Sequence, residues 1–320
     1  DGFTQVKNKL QNHPVAISFA FPGPADYPNG IIGDLNNLPA FRGGVALGPM
    51  LQEKFQLPVF INNDGDLYAY GEAIAGFLPF VNEQLRLSGS PKRYKNLLGL
   101  TLGTGFGAGI VRDGNLFIGD NSIAGEIWLL RDKLCPETHI EEHASIRGVK
   151  KVFARESGIA FENAPSPKDI FEIGTGKKEG NSKAAQKAFK EMGEAVGDAI
   201  SNAITLIDGL VVIGGGLSGA SEVFLPEVVN EMNSSFKKPD GSTFRRLVAN
   251  VYNLENKDDF QKFLKGSAKE IKVYGSDRTV TYDSESRIGI GISKIGTSKA
   301  ISIGAYAFAL NSMDNKSAIQ

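Results

Sequence analysis

Four small groups of residues in this 320-residue chain have types and spacings that can do chemistry. Gly103-Thr104-Gly105-Phe106-Gly107 comes directly off the apolar run Leu97–Leu102. With no side chains in the way, successive backbone N–H groups at such a turn can converge on an anion, and the Thr104 hydroxyl adds a donor. The plainer reading is a tight hairpin whose glycines only permit positive φ. Gly214-Gly215-Gly216 follows Leu210-Val211-Val212-Ile213. Glycines there let a flat group such as adenine or ribose lie on the backbone, with phosphates near the next helix N-terminus. They would equally serve close packing of strand on helix. Asn63-Asp64 closes a second apolar run, and a carboxylate at a strand end can take a hydroxyl proton as that oxygen attacks phosphorus. The neighbouring amide of Asn63 can hold another hydroxyl; a capped turn before a helix is the alternative. Glu126, in Ala124-Gly125-Glu126-Ile127, and Glu141, in Ile140-Glu141-Glu142-His143-Ala144-Ser145, are carboxylates of the kind that accept two vicinal hydroxyls. As solvated surface charges they would need no explanation, and that is the reading for Glu142. His139 and His143 have no partner at ligand spacing and are placed on a helix face rather than on a metal.

The elements that must position these groups alternate. Asp1 to Asn12 reads as a helix with Phe3, Val6 and Leu10 on one face, and Val15–Phe21 as a buried strand ended by Pro22-Gly23-Pro24. A turn-rich loop with Tyr27-Pro28-Asn29-Gly30 at its tip leads to a helix over Gly44–Gln56, a strand over Pro58–Asn62 and a helix over Leu67–Phe77. That order implies parallel strands with helical crossovers. The polar stretch Asn82–Lys95 reads as a linker and a domain boundary. Beyond it, Leu97–Leu102, Ala108–Val111 and Leu116–Ile118, with Asp113-Gly114 between the last two, predict an antiparallel meander. Ser182–Asp208 is the longest amphipathic helix candidate, with Ala185, Ala188, Met192, Val196, Ala199, Ala203 and Ile207 along one stripe. A further helix starts at about Ser221, residues 237–286 read as an inserted hairpin or extra subdomain, and Ala300–Leu310 as a closing apolar helix.

Composition narrows the classes. Lys and Arg number 35 against 36 Asp and Glu, a net charge of −1, which argues against a nucleic-acid binder. No run approaches the ~18 apolar residues that span a bilayer, and no membrane partner is expected. Cys135, the one cysteine, excludes an intramolecular disulfide and any Cys-rich cluster. One cysteine and no signal-like segment after Asp1 point to the cytoplasm.

Taken in order, Pro22-Gly23-Pro24-Ala25-Asp26, Asn36-Asn37-Leu38-Pro39, Asn63-Asp64, Leu100–Gly107, the hairpin, Ala124–Ile127 and Gly214–Gly216 make a series. It resembles the ROK family of sugar kinases and repressors, within the actin-like ATPase superfamily. The resemblance runs over 15–234 and resumes over 288–310. It implies an α/β, two-domain actin-like (ribonuclease H-like) fold with a cleft between the domains. It also implies roles: Asp64 as base toward a sugar hydroxyl, Asn63 and Asn37 in the sugar pocket, Glu126 and Glu141 on ring hydroxyls. Gly103, Thr104 and Gly105 would form a phosphate loop, Gly214, Gly215 and Gly216 would lie beside adenosine, and Mg²⁺ would bridge the ATP phosphates. A homodimer is implied too.

Three departures accompany the resemblance. Trp128-Leu129 stands where many members have Gly-His, so sugar specificity transfers poorly. The family's Cys-rich loop is reduced to Cys135, and no structural zinc is expected. The Asp-x-Gly-Gly-Thr hairpin with which the family begins has no counterpart, so these residues are expected to belong to a longer chain. Two short strands alone would leave long apolar edges, and three more are expected beside them. The expected lobes are 1–96 with the C-terminal helix 303–320, and 97–302 with its insertion at about 237–286. The expected activity is ATP-dependent phosphorylation of a hexose or hexosamine hydroxyl. The alternatives are a sugar-sensing regulator, which needs a helix-turn-helix segment upstream, and a catalytically silent sugar-binding protein.

Overall fold

The computed structural model describes residues 1–317 apart from Pro24, Asp34, Asn36 and Asn37, so the expectation for Asn37 lies outside the described residues. The chain opens with α1 (Gly2–Lys9), β1 (Ile17–Ala20), the small hairpin β2 (Ala25–Asp26) and β3 (Ile31–Ile32), α2 (Leu47–Phe55) and β4 (Val59–Asn62). β1 and β4 pair in parallel, Ile17 opposite Val59 and Ala20 opposite Asn62, as the crossover pattern requires. Phe3 of α1 holds one side of this pair, its ring 5.1 Å from that of Phe19 and 6.4 Å from that of Phe55.

α3 (Asp64–Ala75) follows at once and α4 (Phe77–Leu87) continues it. The helix expected from Leu67 thus begins three residues earlier, at Asp64, because the Asn63 side chain caps it. The linker expected over Asn82–Lys95 is corrected: its first half is helical. α4 buries only Phe77, Leu78, Val81 and Leu85, so its solvated face reads as a polar spacer. Asn82 pins the remainder, its amide donating to the Tyr94 carbonyl at 2.8 Å and accepting from the Tyr94 N–H at 2.9 Å.

The larger sheet follows: β5 (Leu97–Leu102), β6 (Phe106–Arg112) and β7 (Asn115–Phe117) form the meander, turning at Asp113 and Gly114, both at positive φ. Then come α5 (Ile146–Ser157), α6 (Pro167–Gly174), α7 (Ser182–Ile207), β8 (Leu210–Gly214) and α8 (Ser221–Met232). The hairpin β9 (Ser235–Lys237) and β10 (Thr243–Arg245), β11 (Asn250–Asn253), α9 (Lys257–Lys265), the hairpin β12 (Ala268–Lys272) and β13 (Thr279–Asp283), β14 (Arg287–Ile292) and α10 (Thr297–Ser317) complete the chain. The sheet runs β11-β14-β8-β5-β6-β7, parallel from β11 to β5 and antiparallel thereafter.

Side-chain alternation along its strands makes three layers. Leu98, Leu100, Leu102, Val211 and Ile213 face α5, α6, α7 and α8. Leu97, Leu210 and Val212 face α3, α4, α9 and α10. Residues 237–286 are therefore no single insertion. Two exposed hairpins flank an edge strand of the main sheet and a helix packed upon it; short, polar β9, β10, β12 and β13 hide that pattern in the sequence.

α3 is clamped between sheet and α10 by missing side chains. A Cβ at Gly109 would sit 2.7 Å from Asp66 Cα, and one at Gly71 would sit 1.9 Å from the Ala300 carbonyl oxygen. Among the described residues no helix is long and apolar enough to cross a membrane.

Candidate active site

The parallel pair β1–β4 ends where ligands collect in α/β sheets. Asn63 Oδ1 accepts the Gly65 N–H at 2.8 Å, and Asp64 Oδ1 accepts the same group at 3.0 Å. Gly65 is small because a Cβ there would lie 2.9 Å from the Ala108 carbonyl oxygen, so α3 starts directly beneath β6. Asp64 is exposed on the first turn, where the helix dipole favours a negative charge. Tyr27, from the β2–β3 turn, donates to the Phe21 carbonyl at 2.9 Å and accepts from Asn63 Nδ2 at 3.4 Å. Burial pushes its hydroxyl far above the usual tyrosine range, so it stays a donor.

Facing this corner is the glycine hairpin between β5 and β6. The Gly103 N–H donates to the Gly105 carbonyl at 3.0 Å, and Ile146, at the start of α5, donates to the Gly103 carbonyl at 2.8 Å. Glu141 Oε2 accepts the Phe106 N–H at 3.0 Å, and a Cβ at Gly105 would lie 2.7 Å from that same oxygen. The hairpin and the second glutamate are thus built onto each other. Thr104 stands exposed at the tip.

Gly125, at φ +90, presses against the Ala108 carbonyl and delivers Glu126 to the same space. Glu126 Oε2 accepts from the indole N–H of Trp128. Beneath lies Asp66, 2% exposed, with Oδ1 finding no partner among the described residues. Desolvation first, then the charges of Glu126 and Asp64, push its carboxyl up to about 8. The segment joining the two glutamates is held by Asp132, wholly buried, which accepts the Leu134 N–H at 2.9 Å and contacts His143 Nδ1.

One cavity of about 450 Å³ gathers Asn63, Asp64, Gly103, Thr104, Gly105, Glu126, Glu141 and Gly215, with Trp128 in its wall. Gly215, at φ +87, donates its N–H to Thr297 Oγ1 at 2.9 Å, and Gly216 has open space where a side chain would be. Gly214 is enclosed in β8, where a Cβ would lie 2.7 Å from the Tyr68 hydroxyl, so its small size lets α3 pack on the sheet. Tyr27, Asp66 and the Trp128–Glu126 bond went unread in the sequence. The second acid of Asn-Asp-Gly-Asp was the available signal for Asp66, and only the true helix start shows that it points inward. A larger cleft, about 800 Å³, also includes Glu126, but its walls are mostly aliphatic and Glu126 is its only carboxylate among the described residues.

Comparison with known proteins follows the same outline. The ROK family model matches residues 1–255. The crystal structure of a glucokinase from Parabacteroides distasonis ATCC 8503 is 55% identical, superposes with a TM-score of 0.90, and covers 97% of this chain and 84% of that one. An N-acetyl-D-glucosamine kinase of Vibrio cholerae is 30% identical over 219 residues, 65% of this chain and 67% of that one. A xylose repressor of Caldicellulosiruptor bescii is 28% identical over 228 residues, 66% of this chain but only 50% of the repressor, so the chain spans half the length of that relative. A ROK hexokinase from Thermus thermophilus, at 17% identity and a TM-score of 0.61 over 95% of this chain and 82% of that one, shares the fold. Ordered motifs, a mixed α/β architecture and a matching family model agree: the chain belongs to the ROK family.

Proposed function

We propose that this chain phosphorylates a hydroxyl of a hexose or hexosamine with ATP, using Asp64 as the general base. The observation that carries the reading is the single cavity shared by Asp64, the glycine hairpin, Glu126, Glu141 and Gly215. No lysine, arginine or histidine lines it among the described residues. A wall of carboxylates and carbonyls suits a neutral polyol, whose hydroxyls donate. Glu126 and Glu141 take ring hydroxyls, Asn63 takes another, and Asp64 receives the proton of the attacking one. As that proton leaves, the sugar oxygen bonds to the γ-phosphorus and the bond to ADP breaks. The backbone at Thr104 and Gly105 and the Thr104 hydroxyl meet the phosphates, and adenosine lies along Gly215 and Gly216. Mg²⁺ enters on the triphosphate as part of that substrate.

The same proposal has two lobes, 1–96 with the C-terminal helix and 97–302, closing over the substrates to exclude water. A cytoplasmic homodimer belongs to it as well. Phe117 and Leu206, 45% and 88% exposed on one cleft, offer an apolar face for a second copy. The kinase reading is favoured over a regulator by the 55% identity to a glucokinase across 97% of this chain. A coupled ADP-release assay of the complete protein over hexoses and amino sugars tests it. Sugar-dependent ADP release is the expected result. Sugar binding with no ADP release from any of them would contradict it and leave the regulator or silent binder.

A further inference from the structure

Trp128 interrupts the family pattern, and the structure gives it a position between the two sugar-site glutamates. It sits on the 3-10 turn Ile127–Leu129, directly after Glu126, and its indole N–H donates to Glu126 Oε2. The ring system also meets His139 in a T-shaped contact, centroids 5.4 Å apart with planes at 89°. His139 immediately precedes the turn Ile140–Glu142 that carries Glu141, and it pairs with Arg131 in a β-bridge. The Ile140 N–H donates to the Leu130 carbonyl at 2.8 Å, so the turns bearing the two glutamates are also joined through backbone. Trp128 is half-buried, packed against the main core, and still lines the cavity.

We propose that Trp128 is a positioning residue that sets sugar specificity, by fixing the Glu126 carboxylate and its spacing from Glu141. The inference rests on the sugar-kinase reading of this cavity. Both glutamates then present themselves alike. Glu126 commits Oε2 to the indole and Glu141 commits Oε2 to the Phe106 N–H. Each keeps its other oxygen uncommitted by these two bonds, and both side chains line the cavity. The arrangement matters because a free glutamate side chain has several rotamers, and ordering it on binding costs conformational entropy. A rigid indole donor orders it beforehand. It also rigidly defines where a ring hydroxyl must stand, and a sugar lacking that hydroxyl leaves a desolvated oxygen unpaired.

The test measures sugar binding by calorimetry, without nucleotide, for wild type, Trp128→Phe, Glu126→Gln and the double variant. The ligands are hexoses, 2-amino and 2-acetamido hexoses, and monodeoxy analogues of the tightest binder. Trp128→Phe keeps a ring and removes the N–H. Expected are about a tenfold loss for the preferred sugar, a narrowed ratio between it and one particular deoxy analogue, and the same narrowing in Glu126→Gln. The double variant is expected to be little worse than either single one, since both remove one arrangement. Thermal melts of each variant report folding separately. Additive losses, or an unchanged ratio to every deoxy analogue, overturn the inference and leave Trp128 a space-filling wall. A wild-type chain that binds no monosaccharide overturns the sugar reading itself, an outcome distinct from additive losses in a chain that binds sugar well.

Discussion

Asp66 shows how a single residue can couple the fold to pH. An ordinary aspartate carboxyl titrates at 3.8, whereas burial and the neighbouring Glu126 and Asp64 charges push this one up to about 8. Between those values the folded protein holds a proton that the unfolded chain has released. Its stabilising share is therefore full below about pH 4 and is lost as pH rises through about 8. The thermal midpoint should fall between about pH 5 and about pH 8.5, and Asp66→Asn, a neutral isostere, should flatten that slope. Equal slopes in the two proteins would show that Asp66 is not the group responsible. Asp64 and Asp66 are two residues apart and chemically identical, yet one is exposed and the other 2% exposed. Sequence distinguishes them only when the helix start is placed correctly, which an Asn-Asp-Gly-Asp turn reading does not do.

Elements carry the next layer, through positions where a side chain is absent. The Cβ of Gly105→Ala would meet the end of a flexible glutamate, 2.7 Å from Glu141 Oε2. That glutamate can swing away, so the thermal midpoint should hardly move while sugar affinity falls about tenfold through loss of the Phe106 contact. Calorimetry beside a melt separates the two; a large drop in midpoint with unchanged affinity would contradict the expectation. Gly71→Ala is the opposite case, since its Cβ would lie 1.9 Å from the backbone oxygen of Ala300. Backbone cannot step aside, and a loss of about 1–3 kcal/mol or more is expected in denaturant melts. Turnover should fall too, because α3 carries Asp64. What was legible at this scale had a strong period or a specific turn: the meander with its Asp113-Gly114 turn, and α7 with its small-residue stripe. What was not legible had one thin buried face. α4 hides behind Asn82, Glu83, Gln84 and Arg86, and β11 with α9 hides between two exposed polar hairpins.

Across the whole molecule, the site exists because two sheets of different size deliver their ends to one space. The pair β1–β4 brings Asn63 and Asp64, the main sheet brings the hairpin, and the turns between β7 and α5 bring the two glutamates. α10 ties them, packing on α3 and accepting a hydrogen bond from the Ser18 hydroxyl at the Ala305 carbonyl, 2.7 Å away. Sequence gave notice of the order of these parts, and the family resemblance gave them roles. It did not show that α10 begins at Thr297 and reaches α3, because contacts between residues more than two hundred positions apart leave no local pattern. The most direct measurement joins ADP release with sugar-binding calorimetry on wild type and Asp64→Asn. The account predicts that the variant keeps sugar affinity within about threefold while phosphoryl transfer falls by about 10²–10⁴. Near-normal turnover in Asp64→Asn would contradict it.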